Sequence, residues 1–382
     1  MNEMKRVIKT SLAVVVIVVL MWSPISAQII FGQPPSARAE VIYQSWKITD
    51  SAGVESTLSQ WVVPVSAYVP LADNWEMMLS SSTAGTSLDD PGGPNNSLSG
   101  LNDTRIVVYR SLMDDRLMLG AGLNLPTGRK ALDEDEIGVA NLLTESFLNM
   151  PIRNYGEGFG VNLELGYAEK FDIYTLGAGA GYTYKGSYEP LNGADDYKPG
   201  DQFRLGAFGA VERGAVNARL SMRLNMYATD QLDGEDVFKD GSMFEINFRL
   251  GYVLEKSVFH AGIRYLMRGK HDRLILGDLQ TEPEKTHGNE LLFYGRSAFR
   301  MTEVLTLFAL VEYTNVASNG YEEDHERFFG SSNYFGIGAG GSALLTDIFS
   351  TYGEFKYLTG AANDDLLDLN GYEIAVGVRA VF

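Results

Sequence analysis

From about residue 40 to the last residue, the chain repeats one pattern: stretches of roughly 10–15 residues in which apolar side chains alternate with small, polar or charged ones. In AVNARLSMRLNMY, Ala218, Leu220, Met222, Leu224 and Met226 share one face, while Asn217, Arg219, Ser221, Arg223 and Asn225 share the other. MFEINFRLGY sets Phe244, Ile246, Phe248, Leu250 and Tyr252 against Glu245, Asn247, Arg249 and Gly251, and VFHAGIRYLMRG and GFGVNLELGY behave alike. Strict period-2 alternation marks a strand with one oily and one wet face. Strands of soluble proteins average about 5–6 residues. These approach the about 9–11 that a tilted strand needs to cross a bilayer.

The N-terminus sets the compartment. Lys5, Arg6 and Lys9 precede the apolar run Leu12 to Trp22, followed by Pro24 and small residues to Ala27. A basic segment, a short apolar core and a small-residue exit describe a secretory signal peptide. A membrane-spanning helix needs about 20 apolar residues, so a retained anchor is the weaker reading. We take residues 1–27 as the signal and 40–382 as the barrel domain, with Ala37-Arg38-Ala39 as an alternative cleavage point. No later apolar run approaches helix-spanning length, so a membrane-resident form must cross as strands.

Turn signals then order the strands. Tight turns stand at 71–75, 113–117, 169–172, 212–215, 254–257, 301–304 and 345–348. Between them lie longer polar segments, at 49–57, 85–104, 129–155, 189–201, 229–242, 270–288, 315–333 and 361–370. This spacing predicts an all-β, transmembrane antiparallel β-barrel of sixteen strands, with short periplasmic turns and long extracellular loops. Fourteen is the alternative, because EVIYQSWKI alternates poorly and QWVVPVSAYV carries Pro64, which predicts a bulge. The composition agrees, with 41 Gly, 20 Tyr and 19 Phe and only 21% charged residues. A net charge of −18 argues against nucleic acid as a partner, and the absence of cysteine excludes disulfides and thiolate chemistry.

In the closing stretch GYEIAVGVRAVF, alternate residues from Tyr372 to Phe382 are apolar. This resembles the C-terminal insertion signal of Gram-negative outer-membrane barrels, although Ala380 stands where an aromatic is common. The resemblance implies an outer-membrane location, contact with lipid and lipopolysaccharide, and handling by the barrel-assembly machinery. SQWVVPVSAYVPLADNWEM (59–77) and GAGLNLPTGRK (120–130) are similar to stretches of the fatty-acid and aromatic-hydrocarbon transporters and of the phenol-degradation-pathway barrels. That likeness implies a channel for hydrophobic or aromatic compounds. It departs from the fatty-acid family in offering only 28–39 where that family has an N-terminal hatch.

If the apolar face meets lipid, the alternate face lines the lumen. Inward arginines then follow at Arg204, Arg219, Arg223, Arg249, Arg264, Arg268, Arg296 and Arg300, with inward acids at Glu164, Glu245, Glu312, Glu354 and Glu373. Basic and acidic walls of this kind form a charge-selective constriction. The alternative is that Arg–Glu ladders brace a closed lumen. In the third outer loop, Asp133, Glu134, Asp135 and Glu136 precede Ile137, Ala140, Leu143 and Phe147, which follow helical spacing. The loop is either a surface helix or a helix folded into the mouth, its acids near the arginines. Of four histidines only His260 falls on an inward strand face, and no catalytic, nucleotide or metal motif occurs. No catalytic residue, metal or cofactor is assigned. The sequence points to a porin-like channel taking small-molecule solutes that are aromatic, hydrophobic or anionic. A closed structural or adhesive barrel, or less readily a barrel enzyme, is the alternative.

Overall fold

The computed structural model describes residues 33–91, 96–129, 131–194 and 196–382, and the signal-peptide segment lies outside them. The first half of the barrel is β1 (Ser36–Asp50), β2 (Glu55–Ala72), β3 (Trp75–Asp89), β4 (Asn96–Leu101 continued by Thr104–Leu112), β5 (Leu117–Leu125), β6 (Gly160–Phe171), β7 (Tyr174–Lys185) and β8 (Gln202–Arg213). The second half is β9 (Val216–Tyr227), β10 (Met243–Val253), β11 (Ser257–Arg268), β12 (Glu290–Arg300), β13 (Leu305–Val316), β14 (Ser332–Leu344), β15 (Phe349–Ala362) and β16 (Leu367–Val381). Each strand pairs antiparallel with the next, and β16 pairs with β1 from Ser36↔Val381 to Asp50↔Leu367. The barrel is therefore closed, with sixteen strands rather than fourteen. The last strand can end the chain because its free edge is taken by the first.

The alternation sorts as its chemistry requires. Leu163, Leu205, Leu250, Ile337, Phe355 and Val376 all stand exposed on the outside. Their sequence neighbours Asn162, Arg204, Arg249, Gly336, Glu354 and Ala375 turn inward and are buried or half-buried. An apolar band of this extent is stable only where hydrocarbon replaces water, which makes the barrel a transmembrane one. Among the described residues no helix is long and apolar enough to cross a membrane.

All seven short turns fall where the sequence puts them, Asp172 (φ +54°) and Gly214 (φ +61°) supplying left-handed residues at two of them. The opposite rim differs from expectation. Polar residues at 85–89 and 96–101 continue β3 and β4 instead of forming loop, and residues 51–54 and 363–366 are tight turns. Pro64 makes no bulge, for the β2–β3 register runs unbroken through Pro64↔Ser82 and shifts only between Pro70 and Ala72. The other irregularity is at Asn102 and Asp103, where β4 is interrupted and then resumes against β3. Three long outer loops are themselves structured. Tyr197–Lys198, Asp230–Leu232, Glu235–Lys239, Asp272–Ile275 and Asp278–Thr281 form a second, five-stranded sheet.

Candidate functional site

The loop from β5 to β6 enters the barrel mouth. A 3-10 turn (Glu134–Glu136) leads into helix α1 (Ile137–Thr144). Val139, Leu143, Phe147, Leu148 and Met150 are buried against Trp46, Leu58, Val62, Leu98, Tyr334, Leu358 and Leu369, which are inward residues of β1, β2, β4 and β14–β16. Phe147 belongs to the turn after the helix, not to its face, because α1 ends at Thr144. Ile137 and Ala140 are only partly buried, and Val139 takes the core place that helical spacing gave them.

Inward polar side chains pin this plug to the wall. Trp46 Nε1 and Gln44 Nε2 both donate to the Leu148 carbonyl, at 2.7 and 3.0 Å. Gln60 Nε2 donates to the Ile152 carbonyl at 2.9 Å, and its Oε1 accepts from the Ile152 N–H at 2.8 Å. The Tyr155 hydroxyl meets Thr86 Oγ1 at 2.7 Å and donates to the Leu98 carbonyl at 3.0 Å. At the β4 interruption, Asp103 accepts from Gly128 N at 2.9 Å and Glu157 N at 2.7 Å, tying both stems of the loop together. The acids ahead of the helix do not reach the arginine wall. Glu136 is buried on Arg129 at 2.6 Å, while Asp133, Glu134 and Asp135 stay exposed.

The remaining side of the lumen is lined by β5–β12. Arg204, Arg219, Arg223, Arg249, Arg264, Arg268, Arg296 and Arg300 all face it, each half-buried. Five of them fall into two sets. Arg268 is held by Glu290 at 2.6 Å, and Arg296 lies 3.5 Å from Glu354 and covers the Phe308 ring at 3.7 Å. Arg204, Arg249 and Arg264, by contrast, have no carboxylate within ion-pair distance among the described residues. Arg219 stands directly across the β9–β10 ladder from Arg249, and Arg223 across from Glu245. Like charges placed directly opposite destabilise a sheet.

The acids do not make an open wall. Glu312 and Glu373 both reach Lys356 Nζ, at 3.3 and 3.4 Å, and Glu354 is the Arg296 partner on the same side. Glu164 pairs with Arg105 at 3.2 Å and accepts from the Tyr109 hydroxyl at 3.2 Å. Sequence reading missed Lys356 and Arg105, although both sit at inward positions of their strands. It also missed Arg153, on the plug just past Ile152. Arg153 is exposed, and the charges of Glu290, Arg268 and Arg264 on the wall are near enough to act on it. Desolvation there lowers its pKa, Glu290 opposes that, and Arg268 and Arg264 lower it further.

His260 faces the lumen directly across the β11–β12 ladder from Arg296, with Arg249 close enough for its charge to act on it. His271 stacks on Phe238 and meets His287 edge-on, and His325 stacks on Tyr321, all in outer loops. Among the described residues no group of three metal-ligating side chains converges. At the seam, Tyr372 points outward beside Tyr43, ring centres 5.8 Å apart, and the Phe382 N–H donates to the Pro35 carbonyl at 2.9 Å.

No family model matches the sequence. No curated protein matches it. Among solved structures, a Pseudomonas aeruginosa FadL homologue is similar over 93% of this chain and 92% of its own, at 10% identity and a TM-score of 0.44. The CymD monoaromatic hydrocarbon channel is similar over 92% of this chain and 89% of its own, at 11% identity and 0.43. OmpT of Vibrio cholerae, expressed in the outer membrane, is similar over 93% of this chain and 100% of its own, at 9% identity and 0.43. Likeness at this level assigns no function.

Proposed function

We propose that the protein is a passive outer-membrane channel of a Gram-negative bacterium, that its lumen admits small solutes, and that it favours anions. The single observation that carries this reading is the asymmetry of the lumen. The plug and its apolar core fill the side under β1–β4 and β13–β16, while the other side presents half-buried, water-reachable guanidinium groups. Arginine stays charged at any physiological pH, and a low-dielectric wall focuses its field on the path. The constriction lies between Arg153 on the plug and Arg264 and Arg268 on the wall. Lipid and lipopolysaccharide surround the apolar band, and the C-terminal strand is the segment offered to the barrel-assembly machinery. Transport, rather than catalysis, is the activity.

A closed lumen is the competing reading, and the hydrogen-bonded plug is the observation that favours it. Purified protein in planar bilayers decides between them. Steps of conductance with anion-favouring selectivity support the channel. A silent, fully folded barrel supports the closed form.

A further inference from the structure

On the arginine wall, one row of the sheet runs Arg219, Arg249, Gly262, Tyr294 across β9 to β12. The two arginines are direct cross-strand partners, so their Cα atoms lie about 5 Å apart and their guanidinium groups share one patch of lumen. An aromatic ring bounds the patch on each side. Arg219 covers the Phe208 ring at 4.0 Å, and the Tyr294 ring leans over Gly262 towards Arg249. Gly177 and Gly262 leave the room those rings occupy, since a Cβ on either would collide with them. Two residues along β10, on the same inward face, Asn247 is 8% exposed and its Oδ1 has no hydrogen-bond partner among the described residues.

A pair of facing cations is costly in an empty sheet and favourable around an oxyanion. A guanidinium that covers a ring face donates from its edge, the geometry that suits a carboxylate fork. Two aromatic rings beside the pair suit a flat apolar body rather than a bare inorganic ion. Asn247 lies two residues away along the strand, about 6.6 Å between Cα atoms, and its side-chain oxygen is an acceptor suited to a donor at the far end of that body. We propose that Arg219 and Arg249 form a seat for the carboxylate of a hydroxylated aromatic acid, with Asn247 receiving its hydroxyl. The proposal deepens the channel reading by naming the solute class.

Binding is measured apart from transport, by titration calorimetry on the detergent-solubilised full barrel with sodium 4-hydroxybenzoate, sodium benzoate and sodium phosphate. The expected order is 4-hydroxybenzoate tighter than benzoate, and phosphate at least tenfold weaker than either. The Arg219→Gln/Arg249→Gln double variant should lose at least tenfold for both acids, and Asn247→Leu should abolish the preference between them. Arg249→Lys keeps the charge and removes the fork, so it should weaken binding severalfold, and it decides the matter alone if the double variant fails to fold. Absent binding, phosphate binding as tightly as the acids, or unchanged affinity in the arginine variants overturns the seat. A preference that survives in Asn247→Leu overturns the hydroxylated class. Conductance without binding removes the seat and leaves the channel. Binding without conductance supports the seat and removes the channel.

Discussion

The Gln60 side chain and the Ile152 backbone hold each other in both directions, amide N–H to carbonyl at 2.9 Å and backbone N–H to amide oxygen at 2.8 Å. Gln60 is fully buried, and its Nε2 also donates to Thr86 Oγ1 at 2.9 Å, so the amide is held against both the plug and the neighbouring strand. The pair fixes the plug to β2 at a point where its apolar contacts give way to Arg153 and the lumen. Gln60→Leu should therefore leave two backbone groups of Ile152 without partners, at about 1–3 kcal/mol each. Urea denaturation of the refolded barrel would register the loss. Conductance should rise in the same variant, because a loosened plug widens the path.

Lys356 is the cation that keeps Glu312 and Glu373 together inside the wall, its side chain only 12% exposed. Lys356→Met should destabilise the barrel by less than the about 3–5 kcal/mol of a fully buried pair, because the Glu312 and Glu373 carboxylates left behind are 18% and 20% exposed. Adding Glu312→Gln should recover part of that loss. Heat-modifiable gel mobility as a function of temperature would measure both variants.

The barrel was legible because period-2 alternation and tight turns are local signals. Met222 and Arg223 declare their faces within their own strand, and the turn at 254–256 declares itself by composition. The eight inward arginines were legible for the same reason. What could not be read was partnership. Glu373 is the direct cross-strand partner of Lys356 in the last hairpin, but Glu312 reaches the same lysine from β13, across β14, a relationship with no local trace in the sequence. The plug shows the same limit. Asp103 looks like an ordinary loop acid until Gly128 and Glu157 arrive on either side of it. The polar residues of 96–101 misled because a strand rising above the bilayer has no lipid face and loses its oily alternation.

Directly after the last strand of the outer-loop sheet, Glu282 is 2% exposed. Burial alone would raise its pKa, but hydrogen bonds from the Thr286 hydroxyl and from the backbone N–H groups of His271 and Thr286 bring it below the ordinary 4.5. A depressed carboxylate stabilises the fold above the unfolded value and loses that contribution as pH falls through the folded one. Protection of the amides across 271–287, taken relative to their intrinsic exchange rate at each pH, should thus be high at pH 6 and fall as pH drops below 4.5 through the depressed folded value, with the barrel strands unaffected. Glu282→Gln should remove the pH step.

Strand β1 uses Ser36 to Ala39 against Val378 to Val381, and Pro35 receives the last backbone N–H of the chain. We propose cleavage after Ala27, which preserves these rungs. N-terminal sequencing of the outer-membrane form should read Gln28. A chain made to begin at Glu40 should lose heat-resistant mobility at a lower temperature than one beginning at Gln28.

If fixed arginine charge lines a hydrated path, the reversal potential of the open channel in a salt gradient carries its sign. Arg223 and Arg264 stand on β9 and β11, either side of β10, and the charge of Arg264 acts on Arg153 of the plug. The wild-type potential should have the sign of anion preference. Replacing Arg223 and Arg264 together by Ala should move it toward cations while the barrel remains folded, since water can solvate the Glu245 that is left. A well-folded double variant whose reversal potential equals that of the wild type would contradict the account.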